Sequence, residues 1–418
     1  MIVDFYFPDS QDQVDPNYDF GTEEHLPFHV RQRDDLYAHE VHDPPPYSGI
    51  LVSKAMVDGG IGGSRYTTSH RHRLFRLGVH KFFRLPEGLK VIGDCGAFSY
   101  MNEEYPPVTV SDVIDFYENI GVDEGISVDH VILGFQSNGE PNEDWLDRQA
   151  ITLELAADFF QEHARRGCRF SAMGAAQGWS PESYADSVKR LQEIGYTRIA
   201  LGGMVSLKID QIVASLEAVS LIRLPQTRLH LLGISRAEHY QTFRAHGVAS
   251  LDSTSPFRQA FKDDKDNYYA STGNYVALRI PSAEGNTRLR ERIRAGHLDQ
   301  QAVHKAEQHA LNAVRAYDRE AGTLTAALEA LVEYEQIYDT RGRAHTEAYR
   351  ATLEARPWEK CPCGVCTRWG VEVIIFRCTQ RNKRRGFHNL WVFNRTMQKN
   401  LKGRVRSAAL KQRETVDA

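Results

Sequence analysis

Two aspartates stand where apolar runs end. Asp252 opens the polar run Asp252-Ser253-Thr254-Ser255-Pro256 directly after residues 247–251, and Asp94 follows Leu89-Lys90-Val91-Ile92 within Gly93-Asp94-Cys95-Gly96-Ala97-Phe98. A carboxylate at the mouth of a strand is placed for chemistry. Two of them suggest a nucleophile and an acid/base partner, the pairing that displaces a group from a sugar carbon in two steps. Aspartate also caps helices and turns, so either residue alone signals no more than a loop.

A second constellation lies near the end of the chain. Cys361-Pro362-Cys363-Gly364-Val365-Cys366 is followed by Phe387-His388-Asn389-Leu390, while Cys95 and Cys168 stand apart. Clustered cysteines in a chain of this kind favour metal over disulfide. Three thiolates and one further ligand, His388 or Cys378, make a closed tetrahedral zinc site with no position left for water, and hence a structural metal. From Arg377 to Arg413 there are twelve Lys or Arg residues and no Asp or Glu. Such a block is either a solvated face or a phosphate-binding surface, and the interleaved Phe387, Trp391 and Phe393 argue that it is folded. Lys383, Arg384 and Arg385 at its centre are the candidate phosphate contacts.

Other signals are weaker. Asp58-Gly59-Gly60-Ile61-Gly62-Gly63-Ser64 lacks the Gly-Lys-Ser/Thr of a phosphate loop and reads as a flexible turn. His70 and His72 alternate as strand or loop neighbours would, and surface or nucleic-acid contact is favoured there over a second metal. Phe98, four residues after Asp94, can offer a ring to a planar base, although phenylalanine is more often core.

The elements that must position these residues follow a β-α-β-α pattern. Short β-branched runs at 49–52, 91–93, 130–133, 169–173, 198–201, 229–232 and 249–251 alternate with helical segments. Ser180-Pro181 starts a helix that Gly195 ends. Gly167 and Gly247 stop helices from about Arg148 and Ala237. Unusual polar or glycine-rich residues follow strand after strand, which favours a closed (β/α)8 TIM-like barrel over an open sheet, because a barrel collects all its strand ends around one mouth. Residues 287–354 read as amphipathic helices. The chain is therefore expected to comprise a catalytic barrel with an N-terminal extension (1–260), a helical insertion (261–356) and a zinc-binding basic subdomain (357–418). Hydrophobic content of 41% and charged content of 25% are those of an ordinary soluble protein, and the acidic amino terminus carries no apolar signal core, so a cytoplasmic protein is expected. The net charge of -4 does not by itself advertise a nucleic-acid partner.

Taken in order, Asp94-Cys95-Gly96-Ala97-Phe98, Ala176-Gln177-Gly178, Leu201-Gly202-Gly203, Leu232-Gly233-Ile234-Ser235, Asp252-x-x-x-Pro256-x-Arg258 and Cys361-x-Cys363-x-x-Cys366 with His388 resemble the tRNA-guanine transglycosylase superfamily. The resemblance covers most of residues 49–260 and 358–402. It implies a barrel with a zinc subdomain that exchanges guanine in a nucleic acid for a 7-deazaguanine. On it, Asp252 is the nucleophile and Asp94 the general acid/base. Asp129 pairs with the base's N1 and exocyclic amine, and Gln177 with the backbone of Gly202, Gly203 and Met204 reads the remaining edges. Phe98 and Leu232 sandwich the ring, and His388 completes the zinc ligands. Arg258 is carried over as a nucleic-acid contact.

The departures narrow the resemblance. Ala97 replaces a family glycine, Cys95 a serine, and 361 − 252 = 109 positions separate the nucleophile from the first zinc cysteine. These features and the amino-terminal segment are similar to the DNA-guanine transglycosylases (DpdA) of bacterial 7-deazaguanine DNA modification systems. That branch implies flipping of a guanine from duplex DNA, replacement by 7-cyano-7-deazaguanine (preQ0), and partner proteins of a restriction system, an ATPase among them. The alternatives are action on tRNA and a catalytically silent nucleic-acid binder.

Overall fold

The computed structural model describes residues 3–8, 11–59, 63–136, 141–262, 265–339, 342 and 345–414, the side chains of 400–414 excepted. Gly60, Ile61 and Gly62 of the glycine-rich turn lie outside the described residues. Eight parallel strands close into a barrel in chain order: β1 (Asp4–Pro8), β2 (Gly49–Ser53), β3 (Lys90–Asp94), β4 (Glu124–Ile126), β5 (Ser171–Ala176), β6 (Arg198–Leu201), β7 (Arg228–Leu231) and β8 (Val248–Asp252). β8 pairs back on β1, with Asp252 opposite Tyr6. The expected TIM-like architecture is the observed one.

Side chains alternate between the barrel interior and the surrounding helices. Tyr6, Leu51, Ile92, Ile126, Met173, Ala175 and Ala200 fill the interior, and the partly buried Leu232 packs against them. Because the period is two, this set also fixes which residues end inward at the mouth. Ser53 lies two positions beyond Leu51, Asp94 two beyond Ile92, and Asp252 two beyond the buried Ser250.

Helices cross between strands at Val110–Ile120, Glu143–Arg166, Pro181–Ile194 and Ile209–Ile222. The Ser180 hydroxyl accepts from the Ser183 N–H to start the third, and Gly167 ends the second in the left-handed region at φ 62°. The run 130–133 is not a strand. Its backbone is held by side chains instead of a ladder: the His130 N–H donates to Thr152 Oγ1 (3.0 Å) and the Ile132 N–H to Gln177 Oε1 (3.2 Å). The fourth strand lies just upstream. Its inward Glu124 breaks the apolar pattern and pairs with Arg198 at 2.6 Å. β1 was not among the expected strands either; its Phe5-Tyr6-Phe7 core is only three residues long.

The chain divides into two compact units: Met1–Ser10, Tyr47–Thr254 and Met397–Ala418 form the first, and Gln11–Pro46 with Ser255–Thr396 form the second. The first contains the barrel. The second holds the helices Thr287–Arg294, Gln300–Asp318, Leu324–Tyr338 and Thr346–Ala355, as their helical period predicts, and the two-stranded pair β9 (Leu278–Arg279) and β10 (Ile375–Phe376). The cysteine segment and most of the described side chains of the long helix Thr379–Glu414 belong to it too. Among the described residues no helix is long and apolar enough to cross a membrane.

Candidate active site and metal centre

Asp252 closes β8 on the inner face and is 5% exposed, so its carboxylate depends on protein donors. Both go to Oδ1: the Gly233 N–H at 3.0 Å and His230 Nε2 at 3.2 Å. Oδ2 has no protein donor among the described residues. His230 is fully buried on β7, beside Ser250 of β8, and its Nδ1 lies 2.9 Å from the Ser250 hydroxyl. If Ser250 donates to Nδ1, the ring carries its proton on Nε2 and points it at the carboxylate. Beneath them Arg198 reaches Ser250 Oγ at 3.4 Å and the Glu124 carboxylate. The inward polar positions of β4, β6, β7 and β8 thus form one chain that leads through the barrel interior to Asp252.

Asp94 ends β3 with a different balance. Its carboxyl accepts from the Gly96 N–H and the Ser53 hydroxyl, yet burial, then the Asp129 charge, then the Asp252 charge push its pKa up to about 7. A group with that value can give a proton and take it back near neutrality. The turn that returns the Gly96 N–H to it needs glycine: φ is +90°, and a Cβ there would stand 2.4 Å from Ala55 Cβ. Ala97, the departure from the family motif, is buried at the start of the short helix Ala97–Tyr100.

Asp129 is buried in the irregular stretch after β4. Oδ1 accepts from the Cys95 thiol (3.2 Å) and Oδ2 from Gln177 Nε2 (2.6 Å), while the Tyr100 hydroxyl donates to the Asp129 carbonyl (3.1 Å). Burial raises its pKa and these side-chain hydrogen bonds oppose the rise. Gln177 is the hub of the neighbouring wall. A Cβ on Gly202 would lie 2.1 Å from its Nε2, and one on Gly203, which has φ +70°, would lie 2.3 Å from the Ile132 carbonyl. Only glycine lets this backbone come so close to the amide. Met204 is buried in the turn that follows, and Phe98 is 51% exposed, which leaves its ring available to a ligand.

The geometry therefore brings Asp129 and Asp252 within electrostatic reach of Asp94, and Gln177 against Asp129 with Gly202 and Gly203 packed on the Gln177 amide. Sequence reasoning missed His230 and Ser250. The available signal was a polar residue at an inward position of an otherwise apolar strand, two residues before a functional one.

In the second unit Cys361, Cys363, Cys366 and His388 form a group that can hold a metal ion. Their sulfurs lie 3.5, 3.4 and 3.3 Å from His388 Nδ1. An ideal tetrahedron with zinc-like bond lengths separates sulfur from nitrogen by roughly 3.6 Å, so the donors fit with little movement. The outer nitrogen Nε2 approaches the Tyr269 carbonyl at 2.7 Å, which orients the ring and leaves Nδ1 for the metal. Cys378 is not part of the group; its sulfur lies 3.8 Å from the Tyr18 hydroxyl and 3.4 Å from Arg381.

A DNA-guanine transglycosylase of Salmonella montevideo is 45% identical to this chain over 405 residues, which is 94% of this chain and 96% of the relative. The chain belongs to the DNA-guanine transglycosylase family. It is accordingly an enzyme of the pentosyltransferase type. No family model matches its sequence.

Two arginines of the basic triplet of this transglycosylase lie inside the protein and not on a surface. Arg384 and Arg385 are fully buried, and Lys383 pairs with Asp12 at 2.9 Å. Arg385 donates to the carbonyls of Val373, Ile375 and Ala260 and to Asn382 Oδ1, while Arg384 donates to the Gln380 and Asp15 carbonyls and stacks over Trp369 at 4.4 Å. Burial pushes the two guanidinium groups down to about 10 and about 9, which still leaves both charged at neutral pH. Such cations are structural, because gripping a phosphate would mean abandoning these carbonyls. Arg258 is exposed on the short helix Ser255–Gln259 of the second unit. His70 and His72 lie on the helix Thr68–Leu77, and neither belongs to a potential metal group among the described residues.

Proposed function

We propose that this enzyme exchanges guanine in duplex DNA for 7-cyano-7-deazaguanine (preQ0) by two displacements through a glycosyl ester on Asp252. The observation that carries the reading is the contrast between two carboxylates at one mouth. Asp252 has one oxygen held by two donors and the other open, whereas Asp94 sits near neutrality. In the first displacement Asp252 Oδ2 forms a bond to the sugar C1′ as the C1′–N bond breaks, and the departing guanine takes the Asp94 proton. In the second, the incoming base gives a proton to Asp94, its nitrogen attacks C1′, and the ester oxygen leaves as carboxylate. The donors on Oδ1 stabilise that leaving group.

Base selection rests on the wall beside them. Asp129 meets the N1–H and amine edge, while Gln177 and the backbone of Gly202, Gly203 and Met204 meet the rest. Phe98 and Leu232 supply the stacking faces that an extruded base needs. Arg258 serves as a nucleic-acid contact. Cys361, Cys363, Cys366 and His388 hold a structural zinc, and the enzyme works with other proteins of a DNA modification and restriction system, an ATPase among them.

The test is incorporation of radiolabelled guanine or preQ0 into matched DNA and tRNA, with Asp252→Asn alongside. Incorporation into DNA that the variant lacks is the expected result, together with a denaturation-resistant protein–DNA adduct in the wild type only. Incorporation into tRNA alone overturns the DNA assignment, and exchange retained by the variant overturns the nucleophile.

A further inference from the structure

The first half of the excursion between β1 and β2 is held more by polar and ring contacts than by burial. No residue from 16 to 34 of this loop is buried, and Leu26 and Phe28 are 54% and 93% exposed, although Glu23 pairs with Arg377 and Arg381 and the Phe20 ring lies under Arg381 and Arg384. Its two ends, Asp15 and Asp35, are nevertheless buried carboxylates. Two histidines from the middle of the loop reach back to them. His25 Nδ1 lies 2.6 Å and His29 Nε2 3.8 Å from Asp15 Oδ2, and His29 Nε2 also lies 2.6 Å from Asp35 Oδ1. The two rings stack at 4.3 Å with planes 16° apart. His25, His29 and Asp35 line a cavity of about 480 Å³ together with Tyr18 and Cys378.

We propose that Asp15, His25 and His29 bind a second divalent metal ion of the zinc class, with Asp35 beside them, and that this ion staples the 16–34 loop to its own ends. Three observations converge on it. The donor atoms of Asp15, His25 and His29 all lie within 4.8 Å of one another, and two imidazoles with one carboxylate suit a borderline transition metal. About a tetrahedral zinc such donors stand roughly 3.3 Å apart. The observed 2.6 and 3.8 Å bracket that value, so shifts of well under 1 Å bring each nitrogen to a ligand-like distance from the carboxylate oxygen. A loop with no fully buried side chain gains from a metal a cross-link that burial does not supply.

The experiment counts metal in the untagged full-length protein after equilibration with excess zinc and gel filtration. Two ions per chain are expected in the wild type and one in His25→Ala/His29→Ala. Limited proteolysis should cut between residues 16 and 34 in that variant while the wild type resists. Cobalt substitution supplies a reading that needs no variant: the cysteine site absorbs strongly through thiolate charge transfer, and the second equivalent should add only weak d–d bands. One metal per chain in the wild type overturns the proposal, as does a second equivalent retained by the double variant or one that brings further thiolate absorption.

Discussion

Replacing Asp94 by Asn should stabilise the resting protein, and by an amount that grows with pH. Asp94 has an ordinary carboxyl value of 3.8 once unfolded and about 7 in the folded barrel. A raised folded value means that the native state holds the proton more tightly. The associated stability is therefore fully present below 3.8, is lost progressively as pH rises towards 7, and changes no further above that. Each pH unit inside the window is worth about 1.4 kcal/mol. Between pH 5 and pH 8 the wild type should lose about 2–3 kcal/mol that the variant, which has no proton to lose there, retains. Asp94 is partly open at the mouth, so the lower end of that range is the safer figure.

The assay is thermal unfolding of wild type and Asp94→Asn at both pH values, following the barrel's transition. At about 2–4 °C per kcal/mol for a unit of this size, the gap between the two midpoints should widen by about 4–8 °C from pH 5 to pH 8. Base exchange should be lost in the variant even as it becomes more stable, the trade expected of a group strained for function. A midpoint gap that is the same at both pH values would refute the argument, because it would mean that Asp94 ionises in the folded state as it does unfolded.

His230→Ala should slow exchange by about 10–100-fold with little change in KM, the effect of removing one charge-assisted hydrogen bond worth about 1.5–3 kcal/mol, and His230→Gln, which can donate from a similar place, should recover part of it; equal losses in both variants would reduce His230 to packing. Arg385→Met should destabilise the second unit by about 3–5 kcal/mol, because it strands three carbonyls, while leaving the salt dependence of DNA binding unchanged; a flatter salt slope would restore it as a phosphate contact. Cys363→Ser should lower the metal content by one ion per chain and loosen the second unit, measured by elemental analysis and denaturant unfolding; undiminished metal would remove Cys363 from the ligand set.

Where local chemistry follows an apolar run, the sequence was legible. Asp94 and Asp252 announce themselves as polar residues at the ends of buried strands, and the glycines beside Gln177 mark a backbone that must come close. The cysteine cluster is legible because its spacing has few other uses. What failed was contextual. β1 is too short to signal itself, and β4 carries an inward glutamate whose Arg198 partner lies 74 residues away. The apolar run just after β4 looks like a strand because it is buried, but what buries it is the site, through bonds from Thr152 and Gln177 that no local pattern announces. His230 was overlooked for the same reason: its meaning depends on a neighbour in space, Ser250 of the next strand.

The basic block shows how a count can mislead where a period would not. Twelve cations without an acid suggest a surface, but Arg381, Arg384, Arg385 and His388 recur at the three- and four-residue spacing of a single helical face. One member of that stripe is a metal-ligand candidate, so the face had to point inward, and the arginines on it had to find their partners inside the protein. They do so. Arg381 pairs with Glu23 and Glu372 and lies over Phe20, Arg384 is held by Asp15 and Trp369, and Arg385 by three carbonyls and the ring of Phe376. Guanidinium suits this role because it is weakly hydrated, can donate in several directions at once and stacks on aromatic rings. Periodicity, normally applied to apolar residues, thus also separates buried cations from those free to meet a phosphate.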